Sequence, residues 1–125
     1  MVAGICLSAG AAHAFVALTQ FTLAWTHSIE KIRWEEDYRI ESGALELVEA
    51  RVRGFGAGME PPQGAVLRDG VWRYRPRLSA QTSLRLARSD YVADYELCVV
   101  DQCRPLHHWI PVEAGVTTVA PCRGE

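Results

Sequence analysis

The chain has no G-x-S-x-G elbow, no C-x-x-C pair, no Walker loop and no dinucleotide fingerprint. The missing elbow removes the usual frame for a serine nucleophile. The missing C-x-x-C removes a dithiol redox motif and the commonest zinc knuckle. Without the glycine fingerprints there is no cradle of standard form for nucleotide phosphates. The net charge of −2 gives no overall electrostatic attraction to nucleic acid. No sustained helical period, internal repeat, low-complexity tract or linker is present, so the 125 residues read as one domain that is not helical. Lys31 is the only lysine, and positive charge is otherwise carried by arginine, which codon bias explains as readily as physics.

Charge is also missing from one end. No Asp, Glu, Lys or Arg occurs before Glu30, and residues 1–20 are small and apolar, with His13 their only imidazole. Ala12-His13-Ala14 fits the small-x-small pattern of a signal-peptidase site, which would make Phe15 the first mature residue; the basic segment that normally opens a signal is absent. Three readings follow, in order of preference: an export signal over residues 1–14 followed by a β-domain over 15–125, an N-terminal strand or helix of the fold, or a membrane anchor. Membrane contact is expected through this segment.

What is present is β-patterning. Phe21 to Ile40 alternates as two strands around a polar loop at Ser28–Lys31. That register puts Phe21 opposite Tyr38, Leu23 opposite Glu36, Trp25 opposite Trp34 and His27 opposite Ile32. The other face pairs Thr22 with Asp37, Ala24 with Glu35 and Thr26 with Arg33. Only His27 and Glu36 break the sorting, two polar side chains on the apolar face.

Further along, Glu41-Ser42-Gly43 is a turn, and Ala44–Arg53 a strand whose pattern changes face near Leu47-Val48, a β-bulge. Residues 54–64 carry four glycines and two adjacent prolines and form a loop. Asp69-Gly70 predicts a type I′ hairpin with Leu67 opposite Trp72 and Ala65 opposite Tyr74. Short strands are expected at Leu84–Arg88, Tyr91–Val100, Cys103–Leu106 and Val116–Ala120, with His107–Pro111 irregular. The expected fold is all-β, an antiparallel sandwich or partly closed barrel of about seven to eight short strands, preceded by the apolar N-terminal segment.

Of the four cysteines, Cys98 and Cys103 suit a cross-strand disulfide across a Val100-Asp101 turn. So short a loop is worth about 2 kcal/mol. Cys6 falls in the candidate signal, which leaves Cys122 unpaired.

Thr26-His27-Ser28-Ile29-Glu30-Lys31, then Glu36, then Gly56-Ala57-Gly58-Met59 resemble a bacterial family catalogued as a domain of unknown function, DUF1850. The resemblance runs from about Phe21 to Arg104 and includes Leu97-Cys98 and Cys103-Arg104. Such proteins commonly carry an N-terminal hydrophobic segment and are encoded beside TRAP-type solute transporters of the TAXI subclass. The resemblance therefore implies an exported accessory protein, periplasmic or elsewhere in the cell envelope, with TRAP transporter subunits as partners. The positions that match its pattern are His27, Ser28, Glu30, Glu36, Gly56 and Gly58.

Each candidate has a plainer structural account. His27 and Glu36 lie diagonally on one face, as a binding or proton-holding pair or as a hydrogen-bonded pair that fixes the turn, and the second is favoured. Ser28 points away from His27, its sequence neighbour, so a serine hydrolase is rejected. Gly54, Gly56 and Gly58 fit a tight crossover better than a nest for a small anionic solute. His107 and His108 cannot both face one metal from an extended chain, so no metal or other cofactor is expected. Arg68, Arg73, Arg75, Arg77, Arg85 and Arg88 read as a solvated row. The leading expectation is a non-enzymatic accessory or binding module. A small ligand-binding protein or enzyme using His27 and Glu36, or a purely structural envelope protein, are the alternatives. Glu36→Gln is expected to cost about 1–3 kcal/mol if its partners are internal.

Overall fold

The structure, a computed structural model, describes residues 1–26, 31–54 and 61–124. Among the described residues eleven strands follow one another: β1 (Val2–Ala9), β2 (Ala12–Ala17), β3 (Gln20–Thr26), β4 (Arg33–Glu41), β5 (Ala44–Val52), β6 (Val66–Arg68), β7 (Val71–Tyr74), β8 (Leu84–Leu86), β9 (Glu96–Val99), β10 (Gln102–Pro105) and β11 (Thr117–Gly124). They form a four-stranded sheet, β2-β1-β11-β8, and a seven-stranded sheet, β10-β9-β3-β4-β5-β7-β6. Neither sheet closes on itself. Ile5, Leu7, Leu84 and Val119 of the first share one core with Phe21, Leu23, Leu47 and Leu97 of the second. The all-β expectation therefore holds as two open antiparallel sheets, with more strands than the seven or eight expected.

The 21–40 hairpin forms in the register its alternation requires. Phe21 pairs with Tyr38, Leu23 with Glu36 and Trp25 with Trp34 on one face, and Thr22 with Asp37 on the other. The pairing His27–Ile32 lies outside the described residues, as do residues 27–30. Asp37 pairs with Glu49 while Tyr38 pairs with Leu47, so Val48 is the extra residue of the expected bulge. Leu67 opposes Trp72 across Asp69 and Gly70, whose φ values of 53° and 77° suit a turn that glycine completes without strain.

Of the three readings of the N-terminal segment, the structure matches a strand of the fold: residues 2–17 supply β1 and β2, and β1 pairs on both sides, with β2 and with β11. One face of β1 lies in the core and the other is partly covered by Phe15 and a disulfide, so neither face needs charge. Cys122, expected to be unpaired, is bonded to Cys6, with Cα atoms 5.8 Å apart. On the same outer face the Phe15 ring lies so close to Gly4 that a Cβ there would come within 2.7 Å of it, so only glycine fits. Among the described residues no helix is long and apolar enough to cross a membrane.

Two further strands are shorter than expected. Leu84–Arg88 stops at Leu86, and Tyr91–Val100 begins only at Glu96. The cause is an ion pair that folds the intervening loop inward. Arg88 Nε and Nη2 donate to the two Asp94 oxygens at 3.0 and 2.9 Å, and the two side chains are 0% and 9% exposed. Thr117 Oγ1 accepts a third bond from Arg88 at 3.0 Å, while the backbone amides of Tyr95 and His107 donate to Asp94. Every charged oxygen is thus satisfied, as so buried a pair requires. The irregular stretch after β10 contains two single-turn 3₁₀ helices, Leu106–His108 and Val112–Ala114.

Candidate functional site

Of the family-pattern positions, Glu36 is described; His27, Ser28, Glu30, Gly56 and Gly58 lie outside the described residues. The chemistry that can be followed is therefore built around β4. Alternation along β4 sends Trp34, Glu36 and Tyr38 to the inner face and Arg33, Glu35 and Asp37 to the outer face.

On the inner face Glu36 lies between Leu23 of β3 and Ala50 of β5. A cleft of about 310 Å³ opens there between the sheets, bordered by Leu23, Trp25, Glu36, Tyr38, Gln81 and Tyr95. Tyr38 donates its hydroxyl hydrogen to Glu36 Oε1 at 2.8 Å. Among the described residues this is the one side-chain hydrogen bond to Glu36, and no arginine or lysine forms an ion pair with it.

The titration behaviour follows from that setting. Loss of water raises the Glu36 pKa above the ordinary glutamate value, and the Tyr38 hydrogen bond only partly opposes the rise. Burial and then the Glu36 charge push Tyr38 up in turn. Tyr74 is raised by burial and the charge of Glu36; for Tyr95, Asp94 adds to both. Tyr38, Tyr74 and Tyr95, all within reach of the Glu36 charge, thus remain neutral at physiological pH. Trp25 completes the wall, its ring stacked on Trp34 at 6.2 Å and tilted against Tyr95 at 6.0 Å.

The outer face solves the same problem differently. Asp37 accepts two hydrogen bonds from Arg51, at 2.6 and 2.7 Å, and one from Thr22 Oγ1 at 2.7 Å. Burial alone would raise its pKa, but the Arg51 and Thr22 hydrogen bonds outweigh burial and hold it below the usual range. Arg51 also reaches Glu35 and Glu49, and Arg33 joins Glu35 to Glu96. Of the expected arginine row, Arg73 pairs with Glu49 and Arg75 with Glu46, while Arg68, Arg77 and Arg85 are exposed. Arg88 leaves that row altogether for its buried place beside Asp94.

The other candidates separate cleanly. Cys98 and Cys103 are bonded, with Cα atoms 3.9 Å apart across the Val100-Asp101 turn. His107 and His108 are both exposed on a 3₁₀ turn, and His108 packs edge-on against Trp109. Among the described residues no group of His, Cys, Asp and Glu is arranged to hold a metal. Gly54, with φ of 97°, lies just beyond β5. Sequence reasoning missed Tyr38 as the partner of Glu36 and Tyr74 and Tyr95 as its surroundings. The first was within reach, because residues two apart on a strand share a face.

The family model described as Domain of unknown function (DUF1850) matches residues 21–106. The chain belongs to the DUF1850 family. The match spans β4, β5 and the Glu36 cleft, together with both cysteines of the short disulfide; β1, β2 and β11 lie outside it. No curated protein and no solved structure matches the chain. The DUF1850 description supplies no activity, so the chemistry rests on the geometry above.

Proposed function

We propose that this DUF1850 protein is an exported, non-enzymatic binding or accessory domain of the cell envelope that serves a TRAP-type solute uptake system of the TAXI subclass. The observation that carries the location is the pair of disulfides, Cys6–Cys122 and Cys98–Cys103, since such bonds form and persist in oxidising compartments. The first bond joins β1 to β11, so the functional protein keeps its N-terminal strand. The transporter association is the portion of the proposal that comes from the family resemblance.

Co-purification from cell envelopes tests it, using the tagged full chain as bait and the transporter subunits as expected prey. Recovery of those subunits, with Cys6–Cys122 found intact by mapping disulfides without reduction, supports the reading. Recovery of the full chain reduced and free in the cytosol overturns it.

A second reading has its own support: the domain binds a small molecule in the Glu36 cleft. A half-buried carboxylate in aromatic surroundings is an expensive arrangement for packing alone. The two readings are compatible, because an accessory protein of an uptake system gains from sensing or carrying a solute.

A further inference from the structure

We propose that the Glu36 cleft is a binding site for a small organic cation, an alkylammonium or quaternary ammonium group held between the Glu36 carboxylate and the faces of Trp25 and Tyr95. This inference rests on the second reading above, that the cleft binds a small molecule, and is independent of the transporter association.

The argument starts from where charge is already answered. Asp94 has Arg88, Asp37 has Arg51, Glu35 has Arg33 and Arg51, and Glu49 has Arg51 and Arg73. Glu36 stands apart: it borders a cleft, and among the described residues it has a hydroxyl partner and no cation. That hydroxyl reaches Oε1, and among the described residues Oε2 accepts no side-chain hydrogen bond.

The walls favour the same ligand. The face of an aromatic ring is the negative end of its quadrupole and attracts cations within about 6 Å of the ring centre. Trp25 and Tyr95 border the cleft with ring centres 6.0 Å apart. The Glu36 carboxylate and the two aromatic rings therefore border the same space between the sheets. A neutral molecule there leaves the carboxylate unanswered. Gln81 adds an amide oxygen at the border, a natural acceptor for an ammonium N–H. The volume of about 310 Å³ lies at the small end of ligand sites, which suits one cationic group with a short chain.

Among the described residues, the charged and titratable groups around Glu36 are Tyr38 on its own strand, Tyr74 on β7, Tyr95 before β9 and Arg85 on β8. The tyrosines stay neutral across the range in which a carboxylate titrates. Arg85 also borders the cleft, but it is exposed, between Leu84 and Leu86, which are buried. A hydrated cation at that border weakens cation entry without satisfying Glu36.

The test uses the oxidised full chain and three probes of matched length: butylammonium, 1-butanol and butyrate. Binding is read from tryptophan fluorescence and from chemical-shift changes at Trp25 and Tyr95. The expected result is saturable binding of butylammonium, about tenfold tighter than 1-butanol, with butyrate weakest. Cation affinity should fall as pH drops through the raised Glu36 pKa, a measurement that needs no variant. Glu36→Gln should bring butylammonium to the level of 1-butanol, and Arg85→Gln should tighten butylammonium alone. If 1-butanol or butyrate binds the cleft as tightly as butylammonium, the cleft is a ligand site but the cation inference is wrong. If none of the probes shifts Trp25 or Tyr95, the cation inference and the small-molecule reading fall together.

Discussion

Glu36 and Asp37 are neighbours in the chain and opposites in surroundings. Asp37 faces outward, where Arg51 and the Thr22 hydroxyl hold its charge in place, and its pKa is lowered. Glu36 faces inward into tyrosines and a tryptophan, with one hydroxyl donor, and its pKa is raised. The peptide between them is the same strand, and the only cause of the difference is the period of two. Cations beside a carboxylate favour its charged form, and burial among rings with a single hydroxyl donor disfavours it. The outer face is therefore a stability device. The inner one borders the cleft proposed above as a binding site.

The comparison can be pressed hardest at Arg88–Asp94, the extreme case of an answered charge. Arg88→Met leaves the Asp94 carboxylate without its cation in a nearly closed environment. The expected loss is about 3–5 kcal/mol, the usual cost of breaking a buried pair from one side. Urea denaturation measures it. A loss below about 1 kcal/mol, the level of an exposed pair, would mean that water already reaches this loop.

Arg51→Met comes next, because it leaves Asp37, Glu35 and Glu49 facing one another without their shared guanidinium. These groups are only partly buried, so the expected loss is about 2–3 kcal/mol rather than the full buried-pair cost. The effect should shrink in high salt, since screening acts on both the lost attraction and the new repulsion. The acid side of the profile carries a sign as well. The lowered pKa of Asp37 contributes stability that is present above the ordinary aspartate value, near about 3.9, and is lost as pH falls through the folded value. Arg51→Met should remove that acid dependence.

The outer face has a covalent support beside the same residues, since Cys98 pairs with Thr22, the hydroxyl donor to Asp37. Replacing Cys98 and Cys103 by serine should cost about 2 kcal/mol, the value for so short a loop, measured by thermal melting under non-reducing conditions. A much larger loss would show that the turn also holds β9 against β3.

How much of this was legible in the chain depends on range. The β3–β4 register, the Val48 bulge, the Asp69-Gly70 turn and the Cys98–Cys103 bond were all readable, because each is fixed by residues close in sequence. β1 carries none of the alternating charge that marks a strand with one wet face, because its outer face is itself partly covered. Cys6–Cys122 joins residues 116 apart, and nothing local announces it. Arg88 and Asp94 sit in a loop, where no period tells a buried charge from an exposed one. At the candidate site, Glu36 was found because it broke a pattern. The three tyrosines that feel its charge come from separate strands or their ends, and only the fold brings them near it.

The smallest expected effect is the most discriminating. The sequence alone suggested that Glu36→Gln would cost about 1–3 kcal/mol, as the loss of a buried hydrogen bond does. The structure reverses that expectation at neutral pH. A glutamine oxygen still accepts from Tyr38, and the amide carries no charge to desolvate, so the variant should fall within about 1 kcal/mol of the parent. The difference lies in the pH profile. A folded pKa raised above the unfolded glutamate value, about 4.3, gives a contribution to stability that is fully present below that value. It is lost as pH rises through the folded pKa. The parent should therefore lose stability relative to Glu36→Gln on passing upward through that window, while an Asp37→Asn variant shows the opposite trend on the acid side. Parallel melting curves for parent and Glu36→Gln from pH 4 to pH 8 would mean that the inner carboxylate is as well answered as the outer one. The contrast between the two faces of β4 would then be one of position alone.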